Sequence, residues 1–324
     1  MRHFRPIYVR CLFHIRSSSS LRPCKMNQIP VVFNERVLHL FAREQTLLVC
    51  TELTNPLGAI ASRALENCVY RAISVMSGQC VYNQLHVYYN LTEREIRVDT
   101  SCKKYLQHTT IYFHPNDCEY EADAGLKRRI SACIKDSSVN VSLETAILNK
   151  ETVDLMNSMP VVSELIVKIA LTDEICKIVA QLVQKKTLNY VQFNEDHTPS
   201  AEGTQLILDL LQQDQFCVAE LMREGDLPLT RLIDGWKESS GAMAGKRVHC
   251  FKRFGVQQAA EFGFRECTAE ETTYLEVYQP QVEAVRGKPS KTFILRKENG
   301  ERMYALTFES AAQNDNCFII YAFA

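Results

Sequence analysis

Three histidines, His86, His108 and His114, fall within one short stretch, and clustered imidazoles are a common start for a metal site. Their spacings of 22 and 6 residues match no familiar ligand set, and histidines on alternating segments usually face solvent or a satisfied core. The thirteen cysteines lie at irregular intervals, with no CxxC and no Cys pair combined with a His pair at zinc-finger spacing. Cys176 and Cys217 sit within apolar periodic segments, where a free thiol behaves as a small hydrophobe. Reduced thiols in a reducing compartment are therefore expected rather than a disulfide framework. Phosphate-cradling and hydrolase signatures (GxxxxGKS/T, a strand-linked GxGxxG, HExxH, GxSxG) are missing, and only 12 of 324 residues are glycine. No catalytic residue, cofactor or metal ligand is expected, and the reading is of a protein that is not an enzyme.

Composition narrows the partners. Hydrophobic content of 46% and charged content of 23% are ordinary for a globular chain long enough to bury a real core. A net charge of -1 gives no overall bias toward nucleic acid or an anionic membrane. The block Lys127, Arg128 and Arg129 is too short for a nucleic-acid stripe, and the basic loop Arg286–Lys291 reads as a solvated turn. No run of about 18 apolar residues occurs, so no transmembrane helix is expected. Asn90-Leu91-Thr92 and Asn140-Val141-Ser142 match the glycosylation sequon, but the cysteine usage argues against a secreted protein.

The elements that must position any binding surface form a repeat between Ser137 and Met222. Ser138–Leu143, Glu164–Ile169, Leu188–Phe193 and Val218–Met222 read as strands, with helices at Asp173–Lys185 and Gly203–Gln213. Val141, Val167, Phe193 and Leu221 stand at equivalent points, 26, 26 and 28 residues apart. That is the period of a leucine-rich-repeat-like solenoid. Thr172 is the expected N-cap of the first helix, Asp173 and Glu174 lie in its first turn, and Lys185 and Lys186 close it. With Val167 and Phe193 facing inward, the strand period of two sends Lys168, Tyr190 and Gln192 to the open face, the expected partner-binding side.

The flanks read as caps. Residues 1–25 carry six Arg and Lys and a Ser17–Ser20 run, and the first acid is Glu35. Two readings stay open, a disordered extension and an organellar presequence. Phe33, Val37, Leu40 and Phe41 lie on one helical face after Pro30, and a further helical pattern covers Leu57–Ile73. Gln84–Pro115 switches to alternation over 85–90, 94–100 and 108–115, expected as antiparallel strands, and Asp117–Arg129 reads as a linker into a helix. After the repeat, Leu229, Leu232, Ile233 and Trp236 define an amphipathic helix whose tryptophan is expected in the core. Arg247–Arg253 reads as a strand, Gly255–Phe264 as a short helix, and Thr272–Tyr278, Thr292–Lys297, Met303–Glu309 and Cys317–Phe323 as strands. Asn299-Gly300 supplies a tight hairpin turn between two of them.

The segment Met26–Phe33, opening Ile29-Pro30 before short helices and Leu47-Leu48-Val49-Cys50, loosely resembles an F-box. Together with LLQQDQFCVAEL, LTRLIDGWK and Gly245-Lys246, it resembles a nematode-expanded F-box-associated family over residues 26–60 and 140–250. The tryptophan usual after Val49-Cys50 is absent, and Asn55-Pro56 interrupts the next segment. The resemblance implies partner binding, with Ile29, Pro30, Phe33 and Val37 gripping a Skp-type subunit of an SCF-type ubiquitin ligase. Read as a plain helical cap, the same segment leaves a scaffold with no ligase link.

The expected architecture is α/β, a short leucine-rich-repeat-like solenoid. It divides into an extension at 1–25, a helical cap at 26–80, a small antiparallel segment at 81–135, the repeat at 136–246 and a β-rich unit at 247–324. The expected function is protein–protein interaction in the cytoplasm or nucleus, or in mitochondria if residues 1–25 are a presequence.

Overall fold

The computed structural model describes residues 56–66, 69–76, 79–89, 92–95, 106–115, 125–134, 138–146, 148, 150–194, 201–221, 228–250, 254–268, 271, 289–308 and 318–324. They build a mixed α/β structure on one open sheet. Helix α1 (Pro56–Glu66) leads into strands β1 (Val69–Met76), β2 (Gln79–Tyr89), β3 (Thr92–Glu95) and β4 (Leu106–Phe113). Strand–helix alternation follows: α2 (Leu126–Ile134), β5 (Ser138–Leu143), α3 (Lys150–Ser158), β6 (Val162–Val167), α4 (Asp173–Gln184) and β7 (Tyr190–Phe193). It continues through α5 (Ala201–Leu211), β8 (Val218–Leu221), α6 (Leu229–Glu238), β9 (Arg247–Cys250) and α7 (Val256–Glu261). The short β10 (Arg265–Glu266) and strands β11 (Lys291–Arg296), β12 (Arg302–Phe308) and β13 (Phe318–Phe323) complete the order.

Across the sheet the strands run β10-β11-β12-β13-β9-β8-β7-β6-β5-β4-β1-β2-β3. Strands β4 to β9 are neighbours in chain order, and every pairing among them is parallel. Strand β1 joins β4 in parallel, and antiparallel strands extend both ends of the stack. Val141, Leu165, Val191, Ala219 and Val248 stand in register on one face, each at most 1% exposed. Helices α2 to α7 bury their apolar sides in the same cluster, through Ile130, Leu155, Val179, Ile207, Trp236 and Ala259. A Cβ on Gly235 would stand 2.9 Å from Leu208 Cδ2, so a bare backbone position lets α6 approach α5 this closely. Phe254 meets Phe264, Phe293 and Tyr321 edge-on, which ties the antiparallel carboxyl end to that core.

Successive helices are locked at their carboxyl ends. The last carbonyls of a helix have no intrahelical donor and need one from elsewhere. Lys185 Nζ donates to Met156 O, Asn157 O and Met159 O at the end of α3, at 3.2, 2.8 and 3.0 Å. Gln213 Nε2 donates to Val183 O of α4 at 3.0 Å. Lys246 Nζ, on a buried residue, reaches Leu211 O and Gln213 O after α5 at 2.7 and 2.6 Å. Lys297 Nζ donates to Ser239 O after α6 at 2.6 Å and lies 4.9 Å above the Trp236 ring centroid. Burial pulls the Lys185 and Lys246 ammonium groups below the ordinary 10.5, with Asp214 pushing Lys246 partly back.

Several expectations are met locally. Thr172 caps α4, accepting from Ile175 N at 3.4 Å, Trp236 is 2% exposed, and β11 and β12 form the hairpin around Gly300 at φ 91. Others need correction. The helix expected over Leu57–Ile73 stops at Glu66, because Val69–Met76 puts Ile73 and Val75 on the core face at a period of two. The strand at 108–115, expected in an antiparallel meander, is β4 and runs parallel to β1 and β5. Helix α3 separates β5 from β6, where no helix was expected, and β9 extends the parallel stack rather than opening a separate β unit. Asn140 of the second sequon is buried on β5, where no glycan can attach. Residues 1–55 lie outside the described residues, with Ile29, Pro30, Phe33 and Val37 among them, as does Thr272–Tyr278.

Two stability measurements follow. Lys246→Met leaves Leu211 O without its donor, while Gln213 O keeps the bond from Phe216 N, and should lower unfolding free energy by about 1 to 3 kcal/mol in urea titration. Lys186 sits just past α4 at φ 54, a conformation that favours glycine. Lys186→Gly should raise stability by about 0.5 to 1 kcal/mol by the same method.

Candidate functional site

The sheet face away from the helices is polar. Counting from the core-facing row, it takes Thr110, Asn140, Glu164, Tyr190, Val218 and Arg247, then Tyr112, Ser142, Ile166, Gln192, Glu220 and His249, so that Val218 and Ile166 alone interrupt these two polar rows. Past the carboxyl ends of four strands, the ladder continues for one residue each. His114 N donates to Val75 O, Glu144 N to Phe113 O, Lys168 N to Leu143 O and Asn194 N to Val167 O, at 2.8 to 3.0 Å. These shared bonds set His114, Glu144, Lys168 and Asn194 side by side as a terrace. The carboxyl edge of parallel strands is where α/β sheets generally place their ligands.

Two hydrogen-bonded groups occupy this edge. In the first, Glu144 Oε2 lies 3.1 Å from His114 Nδ1, and His114 Nε2 lies 3.2 Å from Ser74 Oγ on β1. Lys168 Nζ donates to Glu144 Oε1 at 2.5 Å, and Ser142 Oγ donates to the same oxygen at 3.3 Å. The Tyr112 ring stacks on the imidazole with centroids 6.0 Å apart and planes 12° from parallel. In the second group, the Tyr190 hydroxyl lies 2.5 Å from Glu220 Oε2 and 2.7 Å from Gln192 Oε1. Gln192 Nε2 donates onward to Asn194 Oδ1 at 2.6 Å.

Electrostatics favour an ionised Glu144. Burial pushes its carboxyl up, but the hydrogen bond and charge of Lys168, joined by His114, outweigh burial and hold it below the ordinary 4.5. At the far end of the sheet, Arg265 and Arg296 both hold Glu271, whose carboxyl lies well below the usual range through Arg265 first. Burial pushes the neighbouring Cys267 thiol up to about 11, which favours the protonated form.

The structure places all three described partner-site residues on the polar face, but not equivalently. Lys168 is exposed, and Gln192 is half-buried. Tyr190 is 7% exposed, packs with Cys217 and Val218, and spends its hydroxyl on neighbouring side chains, so it supports the surface rather than presenting itself. Of the three histidines, His86 lies on β2, His108 faces Tyr70 at 5.2 Å, and His114 belongs to the Ser74–Glu144 group. His108 and His114 thus belong to separate contacts. Ser74, Glu144, Asn194 and Glu220 were not singled out from sequence. Aligning the residue just past each strand would have brought out Glu144, Lys168 and Asn194 together, whereas nothing local marks Ser74.

Compared with known proteins, the chain matches no family model, no curated protein and no solved structure. Among the described residues, no helix is long and apolar enough to cross a membrane.

The Glu144 carboxyl has a depressed folded-state value, so its contribution to stability is fully present above about 4.5 and is lost as pH falls through that lower value. NMR titration should place its midpoint below 4.5, and Lys168→Met should move the midpoint upward. An unchanged midpoint in the variant would show that Lys168 does not hold the carboxylate in solution.

Proposed function

We propose that this chain is a protein-binding scaffold of the α/β solenoid type, a short leucine-rich-repeat-like arc with a helical amino cap and a β-rich carboxyl unit. Its use is as a substrate-recruiting adaptor of an SCF-type ubiquitin ligase. One observation carries the scaffold reading: from β4 to β9 the strand order never reverses. Doubly wound α/β folds bind nucleotides and similar ligands where strand order reverses and two loops part to form a crevice. A stack in strict chain order has no such crevice along that stretch. It presents instead one continuous sheet face with its strand ends, and stacked repeats bind partners on extended surfaces of this kind.

The terrace suits that use. Lys168 and Gln192, with His114, Glu144 and Asn194 beside them, offer both charges and an amide on a rigid sheet edge. Tyr190 and Glu220 beneath them fix the side chains from below. The F-box-like segment would supply the second contact, with Ile29, Pro30, Phe33 and Val37 gripping a Skp-type subunit. Cys133 and Cys267 are free thiols, consistent with a reducing compartment such as cytoplasm or nucleus.

The test uses the full chain and a purified Skp-type subunit in a pull-down with quantitative mass spectrometry. Association should occur, and Phe33→Ala with Val37→Ala should weaken it about tenfold or more. Lys168→Glu with Gln192→Arg should leave that association intact and remove other co-purifying partners. If the wild-type chain fails to bind the purified subunit, the adaptor part falls and a scaffold without a ligase link remains.

A further inference from the structure

Ser74, His114 and Glu144 form an ordered relay across three adjacent strands, and the protein-binding reading gives that order no role. An ionised carboxylate can only accept hydrogen bonds. Glu144 Oε2 stands 3.1 Å from His114 Nδ1, so the neutral imidazole must carry its proton on Nδ1 and donate it. Nε2 is then left as an acceptor, and the group facing it at 3.2 Å is the Ser74 hydroxyl, which must donate. One carboxylate thus sets the direction of both bonds. The result is a serine whose proton already points at a base, and a base held in the right tautomer by an acid.

The surroundings reinforce the arrangement. Lys168 occupies the other carboxylate oxygen at 2.5 Å, keeping Glu144 ionised and its Oε2 turned toward the imidazole. The Tyr112 ring lies nearly parallel to the imidazole, with centroids 6.0 Å apart. The β1–β2 register shifts between Ser74, opposite Tyr82, and Val75, opposite Cys80. Such a bulge re-aims side chains and is over-represented beside active sites. Ser74 is half-buried and the side chains of His114 and Glu144 are 28% and 21% exposed, so the relay is not sealed from solvent.

We propose that Ser74 is the nucleophile of an acyl-transfer centre that hydrolyses carboxylic esters, with His114 as general base and Glu144 and Lys168 as positioning residues. As Ser74 Oγ adds to the ester carbonyl carbon, its proton passes to His114 Nε2 and the carbonyl π pair moves onto the carbonyl oxygen. Collapse of the tetrahedral species breaks the bond to the alcohol oxygen, which takes the proton back from the imidazolium. Water then adds to the acyl-serine with the same proton relay, and the second collapse releases a carboxylic acid and restores the Ser74 hydroxyl. Nothing is oxidised or reduced, and Glu144 stays ionised throughout.

The experiment treats the full chain with a fluorophosphonate probe and, separately, with p-nitrophenyl acetate. Phosphonylation should map to Ser74 by peptide mass spectrometry, with loss of fluoride, and p-nitrophenol should appear in a burst equal to the enzyme concentration. Ser74→Ala should abolish both, and His114→Gln should slow them by about 10²-fold or more. Glu144→Gln retains the shape but offers a donor to Nδ1, which favours the wrong tautomer, and should cost about 10³- to 10⁴-fold. Lys168→Met, which frees the carboxylate to turn, should lower kcat about tenfold at unchanged KM, a split that a merely structural lysine would not cause. An unlabelled Ser74 in wild-type protein whose circular dichroism is that of the folded chain overturns the proposal. So does equal labelling in folded Glu144→Gln.

Discussion

The unsatisfied carbonyls at the ends of successive helices are the constraint on which this structure depends. A helix cannot bond its own last carbonyls, and leaving them buried without donors costs about 1 to 3 kcal/mol each. Here, beside local backbone bonds, a side-chain donor for each of α3 to α6 comes from later in the chain: Lys185, Gln213, Lys246 and Lys297. Each cap therefore does two things, completing one helix and fixing the position of the next unit against it. Three of the four donors are cations, which also suits the negative end of the helix dipole. Apolar packing alone would allow neighbouring helices to slide, because it is not directional. A lysine that must reach two or three carbonyls at once removes that freedom.

With the helices fixed on one face, the other face is free to be polar, and it is polar to an unusual depth. Glu164, Glu220, Arg247 and His249 are each at most 5% exposed on parallel strands. Charged groups persist in such positions only when paired and hydrogen-bonded. Toward the carboxyl end the same face becomes apolar, where Ile294, Tyr304, Leu306, Phe308, Ile320 and Ala322 form a second cluster. The face thus changes character along the sheet, and the strand ends between β1 and β7 combine polar side chains with access from solvent. A partner surface and a catalytic relay both fall there, whereas at the far end the exposed Arg265 and Arg296 are spent on Glu271. Lys168 belongs to each reading, so a partner that captured its ammonium would also loosen the carboxylate that orients His114.

Much of the local structure was legible in the residues. The apolar spacing over Asp173–Gln184 and Leu229–Glu238, the Thr172 cap, the Asn299-Gly300 turn and the burial of Trp236 follow from rules that act over a few residues. The failures share a physical cause. Alternation over 108–115 reports that successive side chains point to opposite faces, and it is identical in parallel and antiparallel strands. It therefore said nothing of β4 lying parallel between β1 and β5. Leu57–Ile73 misled in the opposite way, because a real helix ran into a strand whose first apolar residues happened to extend the helical count.

Sequence by itself marked most of the strands and helices between Ser138 and Leu221, their apolar faces, and the face that Lys168, Tyr190 and Gln192 share. It missed α3 and set Val141 level with Val167, where the register pairs Val141 with Leu165 and Leu143 with Val167. Only the tertiary structure decided what those faces meet. Tyr190 became a buried support because Glu220, 30 residues away, stands beside it on the next strand. Ser74, His114 and Glu144 are separated by 40 and 30 residues and became one relay because β1, β4 and β5 pair in parallel at one register. Periodicity fixes the direction of a side chain from its own backbone, over a few residues. A hydrogen bond between strands depends on order, direction and register, which are set by the packing of the whole sheet.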